Sequence, residues 1–334
     1  MEDWQYRFPQ ITKEEWLTRV STDLKGKPVS SLDSEWWPGE TMHPFYHKED
    51  VEATPLHLPA RLFSQPPTLT EWIDTRDRNP GDVNSEILTS LQYGAQSILL
   101  YTGHEPIAFP KILKGVIQDY LSISVEAEDA SVIDMTAIPS NIKVRIKDGI
   151  SNSGNVNTRW VYDIPSEGSW TSEAIIIFQK IIQHMTDHGH DTSVAGNIVL
   201  RYSPGNDFLK QIIQTRVIHS VWQKILAANN ISTGQDPAYL ECHIEPNGQT
   251  DPDKYLIAAS SSALAASMTG VHAVCIHHQS KDMPGYYKRI SRNIAHLLAL
   301  ESEMYRGVDP LAGSYAIDFY TRKWTSDIWD RLSL

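Results

Sequence analysis

Short apolar runs and longer periodic stretches alternate along the chain from residue 79 onward. The short runs are typical of buried strands, and they occupy residues 97–101, 121–125, 142–146, 159–164, 198–202, 239–244 and 273–277. The longer stretches repeat apolar residues every three or four positions, which indicates helices, at residues 84–93, 107–120, 171–184 and 208–226 and after residues 251 and 285. Strands that alternate with such helices indicate a parallel sheet. About seven or eight units fit, so the pattern predicts an α/β fold, a (β/α)8 TIM barrel over residues 79–334.

The last of these helices carries a regular apolar stripe. We expect the stripe to be buried, and its members are Ile290, Ile294, Leu297, Leu298 and Met304. Asp309 precedes Pro310 and is therefore expected to lie beyond the helix, because a residue before proline is pushed out of the helical region. Gly313 follows in a small-residue corner, where it can adopt a positive φ.

Residues 1–78 have a different pattern, which predicts an extended N-terminal arm. One amphipathic helix over residues 11–25 has Thr12 as its expected N-cap, and prolines are dense over residues 55–67. An extended, proline-rich segment of this kind runs over a protein surface, and its aromatic side chains must pack against that surface. The surface is either the body of this chain or a partner. The candidate anchors of a partner interface are Trp16, Trp36, Trp37, Phe45 and Tyr46.

Composition narrows the classes of partner and compartment. The formal net charge of −12 argues against nucleic acid, because phosphate binding needs clustered Lys and Arg. Cys242 and Cys275 are the two cysteines, too few for a disulfide framework, and they favour a reducing, cytoplasmic location. The N-terminal residues have no signal-peptide pattern, and no apolar run is long enough to span a membrane.

Cysteine and histidine gather at the ends of two predicted strands. Cys242 and His243 end one strand, and Cys275, His277 and His278 end another. These are zinc-ligand types, but the sequence has neither a CxxC pair nor an HExxH helix, and neighbouring strand residues point to opposite faces. We therefore predict a packed or ligand-facing histidine pair and assign no metal ligand. Acid–base catalysis by His243 and His277 remains an alternative.

The end of the chain resembles the end of the barrel domain in methylmalonyl-CoA mutases. The matching residues are Arg292-Asn293, Leu297-Leu298, Glu301-Ser302, Arg306, Val308-Asp309-Pro310 and Ala312 to Tyr315. The start resembles the mutase small subunit in particular, at Lys13 to Trp16, Asp23 to Lys27, Pro44 to Tyr46 and Glu49-Asp50. The resemblance implies a heterodimer in which the arm wraps a large catalytic subunit.

The family's chemistry does not carry over to this chain residue by residue. The catalytic Gly-Tyr-His-Met-Gln-Glu-Ala-Gly run is matched in place by residues 162–169, where the tyrosine–histidine pair is absent and only Glu167-Gly168 agrees. A Leu-Arg-Thr-His-Ser-Gln run is matched by residues 240–245. His243 is kept there, but the anionic Glu241 stands in place of the run's arginine. The Asp-x-His-x-x-Gly motif of the family's cobalamin-binding domain does not occur in the printed sequence.

The resemblance therefore implies a structural subunit whose own active site is degenerate and which binds no cofactor itself. Adenosylcobalamin and the acyl-CoA substrate would be bound by the partner, which interconverts (R)-methylmalonyl-CoA and succinyl-CoA. Two alternatives stay open. One is a stand-alone acyl-CoA isomerase or hydrolase that uses His243 and His277, and the other is a metal-dependent barrel hydrolase built on the Cys/His cluster.

Overall fold

The computed structural model describes residues 11–37, 39–51, 56, 58, 64–103, 107–127, 138–147, 158–166, 168–188, 192–231, 239–246, 248–278, 284–306 and 309–332. The chain forms two compact units. One consists of residues 1–56 with 313–319 and is called the arm unit; the other consists of residues 57–312 with 320–334 and is called the barrel unit. No helix among the described residues combines the length and the apolarity that a bilayer crossing needs.

The arm unit begins with helix α1 (Lys13–Asp23). The Thr12 hydroxyl accepts a hydrogen bond from the Glu15 N–H, and the Glu15 carboxylate accepts one from the Thr12 N–H, so the predicted N-cap is present as a capping box. A short antiparallel hairpin follows, formed by β1 (Ser34–Trp37) and β2 (Glu40–Met42). Single 3₁₀ turns lie at Val29–Leu32 and Lys48–Asp50.

Eight parallel strands close into a ring in the barrel unit. They are β3 (Thr68–Asp74), β4 (Ser97–Thr102), β5 (Ser122–Ala127), β6 (Ile142–Lys147), β7 (Thr158–Ile164), β8 (Ile198–Tyr202), β9 (Tyr239–Ile244) and β10 (Ala273–Ile276). The strands follow one another around the ring in chain order, and β10 pairs with both β9 and β3. The (β/α)8 TIM-barrel prediction is confirmed. Strand β3 lies inside the stretch 1–78 that was predicted as arm, so the barrel begins before residue 79.

Helices of varied length follow β3, β4, β7, β8, β9 and β10 among the described residues. They are α2 (Pro80–Gln92), α3 (Phe109–Ile112), α4 (Trp170–His188), α5 (Thr192–Gly196), α6 (Phe208–Ala228), α7 (Pro252–Met268), α8 (Pro284–His296) and α9 (Tyr315–Leu332). The helix predicted over 107–120 is wrong in extent, because only α3 and a 3₁₀ turn at Gln118–Tyr120 form there. Gly115 lies between them with φ of +79°, a conformation that interrupts a right-handed helix.

Apolar side chains fill the layer between strands and helices. Ile73 from β3 and Ile98 and Leu100 from β4 pack in one buried cluster with Val83 and Ile87 from α2. Each of these five side chains is at most 1% exposed. Burial of this extent is the main stabilising contribution to a barrel.

Helix α8 differs from the sequence-based expectation. The stripe expected to be buried is half-buried at Ile290 and Ile294, and Leu297 and Met304 are 49% and 41% exposed. The buried face instead carries Tyr287, Ser291 and Arg292. Arg292 donates to the Glu71 carboxylate on β3, and a π-helical turn at Leu297–Glu301 shifts the register of the following residues. A polar anchor, rather than the apolar stripe, therefore holds this helix.

Asp309 occupies the corner after α8 in the barrel unit. Its φ is +42°, and its carboxylate is fully buried. Arg216 Nη1 and the Leu58 N–H each donate to this carboxylate at 2.7 Å. A buried ion pair thus fixes the corner at Asp309, which lies beyond the helical residues, while Gly313 has the expected positive φ, +85°. Val308, quoted for the resemblance, lies outside the described residues, as does most of 55–67.

Candidate functional site

The interior of the barrel is crossed by a pair of charges. Arg145 on β6 donates from Nη1 to Glu241 Oε2 at 2.6 Å and from Nη2 to Glu241 Oε1 at 2.7 Å. Strands β6 and β9 are not neighbours in the ring, so these side chains meet across the barrel interior. They are 3% and 1% exposed. The contact is a bidentate, fully desolvated ion pair.

A second pair crosses the same interior. Arg201 on β8 donates from Nη1 to Glu126 Oε1 at 3.0 Å and from Nη2 to Glu126 Oε2, although β5 and β8 are separated by two strands. Lys147 adds contacts of 3.6 Å to Glu126 and 3.1 Å to Asp163. Long charged side chains, paired across the ring, therefore lie in the barrel interior.

Both carboxylates remain ionised. Burial alone would raise the pKa of Glu241, but the Arg145 guanidinium and a hydrogen bond with His243 hold it well below its usual value. Burial likewise acts to raise the pKa of Glu126, and Arg201 lowers it. Burial acts to lower the pKa of Arg201, but Glu126 raises it overall. Each charge is thus stabilised by its partner.

His243, Cys275 and His277 form a cluster at the carboxyl ends of β9 and β10. His277 Nε2 lies 3.3 Å from His243 Nδ1 and 3.7 Å from Cys275 Sγ. His243 Nε2 lies 3.2 Å from Glu241 Oε2. His243 and Cys275 are buried and His277 is half-buried. The structure therefore brings together the two histidines that the sequence predicted to be close.

The cluster consists of neutral groups near pH 7. Burial, followed by the positive charge of Arg201, lowers the pKa of His243, and burial followed by His243 lowers the pKa of His277 well below its usual value. Burial raises the pKa of the Cys275 thiol well above its usual value. Neutral imidazoles offer lone pairs, whereas a protonated thiol is a poor nucleophile.

The other two members of the predicted Cys/His group do not share this cluster. Cys242 pairs in register with Val274, whereas His243 pairs with Cys275, so Cys242 points to the opposite face of the sheet. Its thiol has a pKa raised by burial to about 12. His278 lies outside the group of converging ligand atoms among the described residues, and burial lowers its pKa to about 4.

The stretch that corresponds to the family's catalytic run lies at the end of β7. Tyr162 is fully buried, and its ring is 6.2 Å from that of His184 on α4, so it faces the helix layer rather than the barrel interior. Asp163 lies on the opposite face and contacts Lys147 and Arg201. Glu167 lies outside the described residues.

Arg145, Arg201 and Glu126 are site residues that our sequence analysis missed. Arg145 alternates with Lys143 and Lys147 in β6, whereas Arg201 and Glu126 are each the single charged residue of a strand, β8 and β5. A charge in such a strand signals a buried partner, because unpaired charges are almost never fully buried. The sequence does not say which strand supplies that partner.

The predicted anchors of the arm unit form ring pairs. Trp16 stacks on Phe45 with centroids 4.0 Å apart, and Trp36 contacts Trp37 edge-on at 5.0 Å. Tyr46 packs against Phe319 at 5.1 Å and is buried, whereas the other four anchors are half-buried. A cavity of about 460 Å³ in this unit is lined by Trp16, Phe45, Tyr46 and Phe319 among others.

A second cavity, of about 470 Å³, lies in the barrel unit between the loops after β8 and β9 and helix α7. Ile244 and Tyr255 line it, while Arg145, Glu241, Arg201 and Glu126 are not among its described lining residues. This cavity therefore lies outside the ion-paired part of the barrel interior.

Comparisons with known proteins place the chain near one family. The methylmalonyl-CoA mutase family model matches residues 179–333. The methylmalonyl-CoA mutase small subunit of Porphyromonas gingivalis is 23% identical, over 96% of this chain and 62% of that protein. The small subunit of Streptomyces virginiae is 20% identical, over 97% of this chain and 63% of that protein. The chain thus spans less than two thirds of the length of these two relatives.

Among solved structures, the dihydropteroate synthase (FolP) of Thermus thermophilus matches 71% of this chain and 95% of its own, with 12% identity and a TM-score of 0.44. The matches to mutase proteins, rather than this structural match, confirm the resemblance that the sequence motifs indicated. The chain is similar to the methylmalonyl-CoA mutase family, and its similarity to two small subunits of that family runs along nearly its whole length.

Proposed function

We propose that this chain acts as the non-catalytic small subunit of a methylmalonyl-CoA mutase. It docks on a large catalytic subunit, which binds adenosylcobalamin and the acyl-CoA and interconverts (R)-methylmalonyl-CoA and succinyl-CoA. The observation that carries the proposal is that two buried ion pairs, Arg145–Glu241 and Arg201–Glu126, cross the barrel interior.

These two cross-barrel ion pairs oppose catalysis on an acyl-CoA inside the barrel for an energetic reason. An acyl-CoA that reacts inside a barrel needs a water-excluding space along its axis. To make that space, at least one cross-barrel pair would have to separate, and breaking a buried ion pair costs about 3–5 kcal/mol.

The arm unit supplies the surface for the partner. Helix α1 spans 11 described residues, none of which is buried, and half-buried Trp16 lies on it, stacked on half-buried Phe45. Large aromatic side chains that still have area to bury dominate the energetics of interfaces. We therefore place the main contact with the large subunit on residues 11–51.

Reconstitution with the large mutase subunit of the source organism tests the proposal. Both chains are co-expressed, and the complex is isolated by size exclusion. Turnover of (R)-methylmalonyl-CoA, with adenosylcobalamin added, is then compared for the complex and for this chain alone. We expect co-elution, turnover by the complex and none by this chain. Separate elution of the two chains would contradict the proposal.

The contact between His243 and His277 favours a second candidate, a stand-alone acyl-CoA isomerase or hydrolase that uses these residues as base and acid. Hydrolysis or isomerisation of a CoA thioester by the isolated chain, lost in His243→Ala and retained in the matched variant His272→Ala, would support it. Under our main proposal, His243→Ala leaves the turnover of the reconstituted complex unchanged.

A further inference from the structure

The convergence of His243, Cys275 and His277 points to a function beyond subunit docking. We propose that these three residues bind a zinc-type divalent cation through His243 Nδ1, Cys275 Sγ and His277 Nε2. The three ligand atoms all lie within 4.8 Å of one another. The inference does not depend on the proposed partner, since every ligand belongs to the barrel unit of this chain.

Two of the three ligand-to-ligand distances in the cluster match the edges of a tetrahedron around zinc, and the third is at most 4.8 Å. Zinc binds histidine nitrogen at about 2.0–2.1 Å and cysteine sulfur at about 2.3 Å. In a tetrahedral site these bond lengths separate two nitrogens by about 3.3 Å and a nitrogen from the sulfur by about 3.6 Å. The two observed separations are 3.3 Å for His277 Nε2 to His243 Nδ1 and 3.7 Å for His277 Nε2 to Cys275 Sγ.

Glu241 orients the first ligand. Its Oε2 lies 3.2 Å from His243 Nε2, and an ionised carboxylate only accepts, so Nε2 carries the proton and Nδ1 presents its lone pair to the cluster. Arg145 holds Glu241 in place with two hydrogen bonds. Metal-binding histidines commonly donate their second ring N–H to a carboxylate, which fixes the tautomer and strengthens the ligand.

Rigid strands hold the ligands in position. His243 and Cys275 are direct register partners on the adjacent strands β9 and β10. His277 follows Cys275 by two residues, a spacing that keeps both on one face. Because His277 is half-buried, a cation can reach the cluster, and three protein ligands leave a fourth tetrahedral position for water.

Charge and ligand chemistry both suit zinc. The nearby guanidinium groups of Arg145 and Arg201 are each paired with a carboxylate, so an incoming cation does not meet uncompensated positive charge. One thiolate and two imidazoles favour zinc over magnesium or calcium, which prefer oxygen ligands. Metal binding would release the proton of the Cys275 thiol.

Cobalt titration of the chelator-treated protein tests the site, because Co²⁺ takes the same ligands and absorbs visibly. We expect one Co²⁺ per chain, with a thiolate-to-cobalt charge-transfer band that added Zn²⁺ removes. Cys275→Ser should abolish that band, and His277→Ala should weaken Co²⁺ binding by more than about 100-fold. Glu241→Gln should weaken it by about 10–100-fold.

Cys242→Ser is the matched control. Cys242 is a buried thiol next to His243 in sequence, but its side chain points to the face of the sheet opposite the cluster. This variant should keep the band and the stoichiometry. Zn²⁺ should raise the melting temperature of the wild type but not that of His277→Ala, a half-buried site whose change leaves the core intact. The absence of stoichiometric Co²⁺ binding would overturn the proposal, as would equal loss of the band in Cys242→Ser and Cys275→Ser.

Discussion

The barrel unit and the arm unit use apolar residues in opposite ways. In the barrel unit, residues such as Ile73, Ile87 and Leu100 are completely buried. In the arm unit, Trp16, Trp36 and Phe45 remain half-buried although they are larger. The barrel therefore gains its hydrophobic stabilisation from its own side chains, whereas the arm retains apolar area that only another surface can cover.

Charged residues show the same contrast. The Arg216–Asp309 pair of the barrel unit is fully buried, whereas the Arg19–Asp23 pair of the arm unit is 78% and 60% exposed. Exposed pairs contribute about 0–1 kcal/mol, while the loss of one partner from a buried pair costs about 3–5 kcal/mol. Substitutions in the barrel should thus act on folding, and substitutions in the arm should act on association.

Deletion of residues 1–50 is the most severe test of this division. We expect the variant to lose the proposed heterodimer completely while the barrel keeps its cooperative thermal unfolding, because no barrel strand is removed. Size exclusion with the large subunit and circular dichroism measure the two properties. Retained binding would contradict the assignment of the interface to the arm.

A double substitution refines the same test. Trp16→Ala with Phe45→Ala removes one stacked pair, and Tyr120→Ala in the barrel unit removes an aromatic ring that is 93% exposed. Only the double substitution should weaken the complex. The binding free energy should fall by about 2 kcal/mol or more, the level that defines an interface hot spot.

Asp309→Asn should have the largest effect on folding. Asparagine tolerates the positive φ at this position, so the substitution mainly removes the carboxylate that balances the buried charge of Arg216. We expect the free energy of unfolding to fall by about 3–5 kcal/mol. Asp23→Asn, which acts on the exposed arm pair, should change it by less than about 0.5 kcal/mol. Urea denaturation of both variants gives the comparison, and similar losses would remove the distinction between the units.

The elements that sequence reasoning identified well are those whose pattern is local. Strands β8 and β9 match their predicted ranges because each is an apolar run bounded by polar or turn residues. Strand β3 was not identified, because its sequence TLTEWID mixes polar residues into a short run beside a proline-rich stretch. The prediction that the apolar stripe of α8 is buried was wrong, because the Arg292–Glu71 pair decides which face of the helix packs inward.

The candidate site was likewise predictable only where its signal is local in the sequence. The closeness of His243 and His277 follows from their positions at the ends of adjacent strands. The Arg145–Glu241 pair joins residues 96 apart on strands that are not neighbours, so it depends on how the ring closes and on its register. Tertiary geometry of that kind leaves no periodic signal in the sequence.

Glu241→Gln should have an intermediate effect that depends on pH. Because the folded pKa of Glu241 lies well below its ordinary value of 4.5, its ionisation stabilises the fold above that value, and this contribution is lost as the pH falls through the folded pKa. Glutamine keeps part of the hydrogen bonding to Arg145, and the Glu126 carboxylate also helps to balance the charge of Arg145, so we expect a loss of about 1.5–3 kcal/mol at pH 7.

The pH dependence provides the control for that variant. The difference in unfolding free energy between wild type and Glu241→Gln should shrink as the pH is lowered from about 5. Urea denaturation at several pH values measures it. A difference that stays constant down to acidic pH would mean that the charge of Glu241 does not stabilise the barrel.

Thr12→Ala should give the smallest effect, confined to the arm. The Thr12 hydroxyl accepts from the Glu15 N–H at the start of α1, and the loss of such a cap costs about 1 kcal/mol. Because none of the residues of α1 is buried, this cost should appear as faster hydrogen exchange of the α1 amides while barrel unfolding is unchanged. If α1 must be ordered to dock, affinity for the large subunit should fall by about fivefold. Ser21→Ala, an exposed position in the last turn of the same helix, should change neither quantity, and a lowered barrel stability in Thr12→Ala would show that the arm contributes to the fold itself.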